Sequence, residues 1–447
     1  MSRTTPEDGA KKTPAHRRRS ESATYREVLG DREYRAVFVA GLLSWIGDNF
    51  SKAAITALVY VQTGSPALSA AAFALSFLPW LVAGPLLATL AERYPYRNVM
   101  IACDIVRMVL IALVALPFMP LWAMLTLLLL SSTATPPAQA AKSAMMAQIL
   151  DGDRLPVGVA LNISSGQVAQ VFGYLAGGLL AAINPRGALL LDSTTFLLSA
   201  VLLTSWVRRR EPADVARRNL FRETGDGFRM VFSNAPMRSL ALLVFGVMLF
   251  SAVPEGLAAA WVGSLDPDTE TSRGLWQGII MMAQPVGAAV GALLLTRVLG
   301  PSLRRALLLP FSLAVPAVLI PALLEPGLLT VALMAMVCGI AVTGVLPTSN
   351  ALFVRVLPDG YRARAFGVMQ MGIQLTQGAG IFVAGIIAER LGPPIAVGVW
   401  SVFGLAVMIC IAVSWPSRAR FDEALQAAAT APPPQQATGP AAQPVSA

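Results

Sequence analysis

Seven charged residues stand inside long apolar runs of this 447-residue chain: Asp48, Lys52, Asp104, Arg107, Lys142, Asp192 and Glu255. An ionised side chain at mid-membrane costs about 2.5–3.5 kcal/mol on insertion scales, so each needs a partner or a task. Asp48 and Lys52 are one helical turn apart and share a face. The pair reads either as a protonatable coupling carboxyl beside an ammonium, or as a neutralised couple that orients its helix. Glu255 has no Lys or Arg within a turn and is flanked by Pro254 and Gly256, where a local helix break exposes backbone carbonyls. It is the second proton-coupling candidate; the other reading places it in water near an outer mouth. Asp192 fits a helix cap or loop anchor.

Uncharged polar residues form a second pattern. Gln370, Gln374 and Gln377 follow i, i+4, i+7, while Gln277 and Gln284, and likewise Gln167 and Gln170, share helix faces. Amides facing lipid lack partners, so these stripes face protein or a wet cavity. With Lys52, Gln139, Lys142, Tyr174 and Asn350 they outline a substrate cavity, to which Met281, Met282, Met369 and Met371 add adaptable apolar surface. That composition suits an amphipathic small molecule. Hydrogen bonding between helices is the competing use of each stripe.

Other chemistries lack their residues. The single histidine, His16, lies in a charged tail, which removes histidine triads, HExxH zinc sites and histidine proton relays. Cys103, Cys338 and Cys410 fall in apolar runs with no CxxC spacing, so no metal site is expected. The Lys142-Ser143 pair follows Pro136-Pro137-Ala138-Gln139-Ala140-Ala141, without the glycines of a P-loop. No ATP-driven step and no cofactor are expected.

The elements that must hold these groups follow from composition. The chain is 55% hydrophobic and 13% charged, with mean hydropathy +0.63. A soluble domain carries about 25% charged residues, so a water-soluble enzyme of this length is excluded. Twelve apolar runs, each near the ~20 residues needed to cross hydrocarbon, are placed at 36–62, 67–92, 97–117, 120–149, 156–183, 187–207, 238–263, 274–297, 304–324, 327–356, 363–389 and 394–415. The long 120–149 and 327–356 runs are expected to tilt or to project at one end. With both termini inside, cytoplasmic segments collect 28 of the 34 Lys and Arg, against three outside (Arg186, Arg273, Arg390). The positive balance is therefore a topology signal and not a nucleic-acid footprint.

The domain reading is a basic cytoplasmic tail (1–34), a six-helix bundle (35–207), a cytoplasmic linker (208–236), a second six-helix bundle (237–416) and an Ala/Pro/Gln-rich tail (417–447) expected to be disordered. An internal repeat supports the division. Asp151-Gly152-Asp153-Arg154 recurs as Asp359-Gly360-Tyr361-Arg362, and the same offset maps Arg97 to Arg305, Asn162 to Gln370, Gly177 to Gly385 and Pro185 to Pro393. Asp48 lands one residue from Glu255. The expected fold is an all-α membrane protein, twelve transmembrane helices in two pseudo-symmetric six-helix bundles with a substrate path between them.

Over about 35–415 the chain resembles the major facilitator superfamily, in particular the drug-exporting branch that includes enterobactin and macrolide exporters. The resemblance is carried by Ser44-Trp45-Ile46-Gly47-Asp48, by the loop Ala88-Thr89-Leu90-Ala91-Glu92-Arg93-Tyr94-Pro95-Tyr96-Arg97, by Asp104 and Arg107, and by Gly173-Tyr174-Leu175-Ala176-Gly177-Gly178. Ala88, Glu92 and Pro95 depart from the family's loop pattern, Tyr174 stands where exporters have proline, and the fourth span lacks the arginine of many proton antiporters. The resemblance implies that Glu92, Arg93, Arg97, Asp104 and Arg107 form a cytoplasmic gate; as plain topology determinants they would sit at the same surface. It implies a secondary exporter in the bacterial cytoplasmic membrane that moves an amphipathic drug, antibiotic or siderophore-like molecule outward against protons. The expected partners are that molecule, protons and membrane lipids, with a monomeric carrier and no nucleic acid. A proton-coupled uptake symporter for a metabolite or lipid fragment is the alternative. A polytopic membrane enzyme is remote, since no GxGD, HExxH or acidic metal-binding pair occurs.

Overall fold

In hydrocarbon a backbone must satisfy its own hydrogen bonds, and apolar runs of this length do so as helices. The computed structural model describes residues 24–81, 93–210, 220–265, 269–357, 362–417 and 421, and every regular element among them is helical. Glu92, most of both terminal tails and the 211–219 stretch of the linker lie outside the described residues.

A short helix α1 (Tyr25–Gly30) leads to α2 (Arg32–Thr63), which is capped by Asp31 and stopped by Gly64 in the left-handed conformation (φ 64°). Next come α3 (Pro66–Ala74) and α4 (Tyr96–Val114). The fourth span, Leu121–Ile149, is two helices that meet at Ala134, α5 (Leu121–Thr133) and α6 (Thr135–Ile149). The break falls just before Pro136-Pro137, whose rings and missing N–H groups cannot continue a helix. α7 (Arg154–Ile183) and α8 (Pro185–Trp206) complete the first half.

The linker helix α9 (Leu220–Ser233) precedes a seventh span in three pieces, α10 (Ala235–Ser251), α11 (Val253–Gly256) and α12 (Ala258–Ser264). α13 (Glu270–Val298) follows. The ninth span is also broken, into α14 (Pro301–Ala306), α15 (Leu308–Ala317) and a 3-10 turn (Ile320–Leu324). α16 (Leu328–Val356), α17 (Arg362–Leu391) and α18 (Pro393–Val413) close the fold. Eight of these segments are long and apolar enough to cross a membrane by themselves. The other four crossings are the charge-bearing α2 and α4, the span begun by α3, and the broken ninth span. The result is twelve membrane-crossing segments in two six-helix bundles.

In the first bundle α2 packs on α7 and α8, and α4 on α8, α6 and α5; in the second, α13 packs on α16 and α10 on α17. The bundles meet along two seams, α7 against α13 and α3 against α17. The internal repeat exchanges these two seams, since it relates the second span to the eighth and the fifth to the eleventh. Both are tight at the end where α2 reaches Gly64. A Cβ on Gly178 of α7 would lie 2.7 Å from the Gly278 nitrogen of α13, so backbone meets backbone there. On the other seam, Ser65 Oγ and the Ala67 N–H donate to Glu389 at 2.7 and 3.0 Å.

Candidate functional site

Two polar centres emerge, one across the seam and one inside the first bundle. The first is built on the broken seventh span. α11 is a single turn that presents Glu255, almost fully buried, toward the first bundle. The buried Tyr174 hydroxyl of α7 donates to the Glu255 carboxylate, and Gln170 donates to Tyr174 at 3.4 Å. Lys52 of α2 has its ammonium 5.8 and 5.4 Å from the Phe73 and Phe77 ring centres and is attracted by Glu255. One turn toward Gly64, the Gln277 amide of α13 donates to the Ala53 carbonyl at 2.8 Å and to Thr56 Oγ1 at 3.1 Å, both on α2. Burial overturns the reading of Glu255 as an acid in open water, and Lys52 and Tyr174 supply the partners that its local sequence lacked.

The second centre lies among α2, α4, α6 and α8. Asp48 forms an ion pair with Arg107 of α4, not with Lys52. Four residues advance a helix by a turn and about 40°, and the two side chains diverge from that face, Asp48 to Arg107 of α4 and Lys52 to the Phe73 and Phe77 rings. Arg107, packed 4.2 Å from the Phe196 ring centre, also faces Asp192. Asp192 is buried in the third turn of α8, where it accepts from Ser51 and, at 3.2 Å, from Thr195. The cap of α8 is Asn184, so Asp192 is neither a cap nor a loop anchor. Asp104 accepts from Ser199 at 2.6 Å and from Ser44 at 3.3 Å, and is attracted by Lys142, whose ammonium lies 4.3 Å from the Trp45 ring centre. A cavity of about 40 Å³ opens between Asp48, Asp104, Gln139 and Lys142, room for water in a polar setting.

These positions revise the expected groupings. Asp104 and Arg107 are buried within the bundle and do not join Arg93 and Arg97 in a surface gate. Arg97 instead donates to the Leu203 and Thr204 carbonyls at 3.1 and 2.6 Å, at the C-terminal end of α8, where the Leu203 carbonyl also accepts the capping Val207 N–H. Arg93 is exposed at the same end. Gln139 and Lys142 line the cavity inside the first bundle, not a chamber between bundles.

The amide stripes are also divided. Gln277 is buried in the seam, Gln167, Gln170, Gln284 and Gln377 are half-buried, and Gln370 and Asn350 are exposed. Gln374 lines an apolar cleft of about 560 Å³ between α3, α5 and α17, with Phe77, Leu78, Leu129 and Phe382. Ser51 and Ser199 went unnoticed in the sequence, and Ser44 was noted only within its first-span segment, because nothing in their local spacing distinguishes a hydroxyl that binds a distant carboxyl.

Two helical bundles joined across polar seams, with acids buried at mid-span, define a multi-pass membrane transporter. The chain belongs to the Major Facilitator Superfamily, whose sequence profile matches residues 37–265 and 268–442. It is 22% identical over 400 residues to Macrolide efflux protein A of Streptococcus pyogenes, covering 86% of this chain and 95% of that protein. It is 25% identical over 249 residues to the uncharacterized MFS-type transporter YvqJ of Bacillus subtilis (strain 168), covering 53% and 58%. Among solved structures it resembles the nucleoside transporter NupG, with TM-score 0.70 and 14% identity over 87% of this chain and 100% of that one. It also resembles a D-xylose-proton symporter, with TM-score 0.65 and 12% identity over 86% and 97%. At such identities the structural likenesses establish the fold alone. The chain is therefore a secondary transporter of the superfamily, not an enzyme.

Proposed function

We propose that this protein exports an amphipathic small molecule from a bacterial cytoplasmic membrane by alternating access, driven by inward proton movement, with residues 35–207 and 237–416 as the two moving bodies and both termini cytoplasmic. The observation that carries the reading is the buried contact between bundles, in which Glu255 of one bonds Tyr174 of the other and feels the charge of Lys52. A carboxyl in that position is worth its desolvation only if its charge has a use or a partner. Ionised, Glu255 holds the Tyr174 hydroxyl and attracts the Lys52 ammonium, and so fastens the seam at mid-span. Protonated, it loses the attraction to Lys52, and the seam is released. The empty, deprotonated carrier is thus held in one state, and a proton or a substrate must act before it turns over. Each proton moving inward releases about 2.3 kcal/mol per 100 mV.

Outward direction is supported by the likeness to a macrolide efflux protein that extends over 95% of its length. The apolar cleft beside Gln374 supports a bulky, mainly apolar cargo with few polar groups. The test uses proteoliposomes with an imposed pH gradient and a radiolabelled macrolide. Accumulation on the acidic side, abolished by a protonophore and lost in Glu255→Gln, is expected. Accumulation on the alkaline side indicates uptake, and accumulation that survives both treatments contradicts proton coupling at Glu255.

A further inference from the structure

The centre inside the first bundle has an unbalanced charge. Asp48, Asp104 and Asp192 face two cations among the described residues, Arg107 and Lys142. Arg107 is committed to Asp48 and faces Asp192. Lys142 is 5% exposed and lines the small cavity, with no hydrogen-bond partner for its ammonium among the described residues. If all five groups are ionised, one negative charge stays uncompensated in a largely buried region, which is a costly arrangement.

Of the three acids, Asp104 alone has no guanidinium partner, and it lies in a ring that a proton completes. Asp104, Ser44 and Ser199 form a closed ring of three oxygen contacts: Asp104 Oδ1 to Ser44 Oγ at 3.3 Å, Ser44 Oγ to Ser199 Oγ at 3.3 Å, and Ser199 Oγ to Asp104 Oδ2 at 2.6 Å. An ionised Asp104 accepts one hydrogen from each serine and leaves the 3.3 Å Ser44–Ser199 contact without one, since a carboxylate accepts but cannot donate. A proton on Oδ1 supplies the third. Asp104 then donates to Ser44, Ser44 to Ser199, and Ser199 back to Oδ2. Asp48 and Asp192 have other partners, Arg107 for one and Ser51 with Thr195 for the other.

We propose that Asp104 is a second proton-binding site, inside the first bundle and distinct from Glu255, loaded through the small cavity it shares with Lys142 and closed by the Ser44–Ser199 ring. Lys142 from α6 faces it, Asp48 from α2 and Arg107 from its own helix line the same cavity, and Cys103 is its neighbour on α4; Asp192 on α8 faces Arg107 instead, and α5 contributes no titratable residue. The ring joins α2, α4 and α8, and α2 carries Lys52, Ala53 and Thr56 to the seam. Proton occupancy at Asp104 therefore bears on the helix that latches the two bundles. Only this last use rests on the proton-coupled reading above; the binding of the proton does not.

The test is infrared difference spectroscopy of the full chain in lipid nanodiscs as pH is lowered, with the proton itself as probe. The wild type should show carbonyl bands of two buried carboxylic acids. Asp104→Asn should delete one, Glu255→Gln the other, and Ser199→Ala should keep the Asp104 band but shift its frequency and midpoint. Deletion of the Glu255 band alone, with every band surviving Asp104→Asn, overturns the second site while leaving the first. Loss of the band in Asp192→Asn but not Asp104→Asn also overturns it. So does a band that responds at fixed pH to exchange of choline for sodium, which marks a cation site. Ser199→Ala retains the carboxyl and keeps the proposal open to refutation if Asp104→Asn does not fold.

Discussion

Substituting Gly178 with alanine should shift the protein toward the state in which the Gly64 end is open. On the closed seam the new Cβ would lie 2.5 Å from the Gly274 carbonyl oxygen, 2.7 Å from the Gly278 nitrogen and 2.9 Å from the Gly278 Cα. These are backbone atoms of a packed helix and cannot rotate away, so α7 and α13 must separate. Overpacking of this kind costs about 1–3 kcal/mol. The cost applies only where the helices touch, so it enters as a change in the open-to-closed ratio of about 5- to 150-fold. Thr56→Cys, placed in a chain freed of Cys103, Cys338 and Cys410, reports that ratio, because Thr56 is buried against Gln277 on the seam. Its rate of reaction with a small water-soluble maleimide, in nanodiscs, should rise by the same factor in Gly178→Ala. Gly367→Ala is the control, since a Cβ there meets nothing within 4 Å. If both variants fold and both label at the parent rate, the seam does not part and the idea that α7 and α13 form a moving joint fails.

Asp48→Asn should lower thermal stability by about 3 kcal/mol, because it leaves the buried Arg107 without its ion-pair partner; melting of the double variant Asp48→Leu/Arg107→Met should show much of the loss restored. A double-mutant cycle of Lys52→Met with Glu255→Gln should show a coupling above about 0.5 kcal/mol, whereas Lys52→Met with Asp48→Asn should be additive. Equal couplings would return Lys52 to Asp48. Glu33→Ala removes a forked pair with Arg210 (2.5 and 2.9 Å) and the acceptor of the Arg208 N–H. In thermal melts it should change stability by less than about 1 kcal/mol.

The helices were largely legible because apolar length and charge placement carry the topology. Pro254 and Gly256 announced the break in the seventh span, and the offset of 208 residues related the two halves. The proline pair at 136–137 carried the break in the fourth span, yet continuous apolarity across 120–149 concealed it. The polar centres were less legible. Local spacing joined Asp48 to Lys52, but each found its partner on another element, Arg107 at 59 residues' distance and Glu255 in the opposite bundle. The repeat matched Asp48 to Glu255 in position but not in use, since one acid bonds within its bundle and the other across the seam. Asp104 and Arg107 were drawn to the gate by family likeness, whereas their burial follows from α4 packing on α8, a contact no linear pattern encodes.

Distances measured at both ends of one preparation test the two-body motion most directly. Spin labels at Val61→Cys and Leu324→Cys, both strongly exposed at the Gly64 end, report one mouth. Labels at Asn98→Cys and Val298→Cys, exposed at the opposite end, report the other. Across a pH step in lipid, lengthening of one pair should accompany shortening of the other. Two pairs that stay fixed, or that widen together, would contradict alternating access between these bundles.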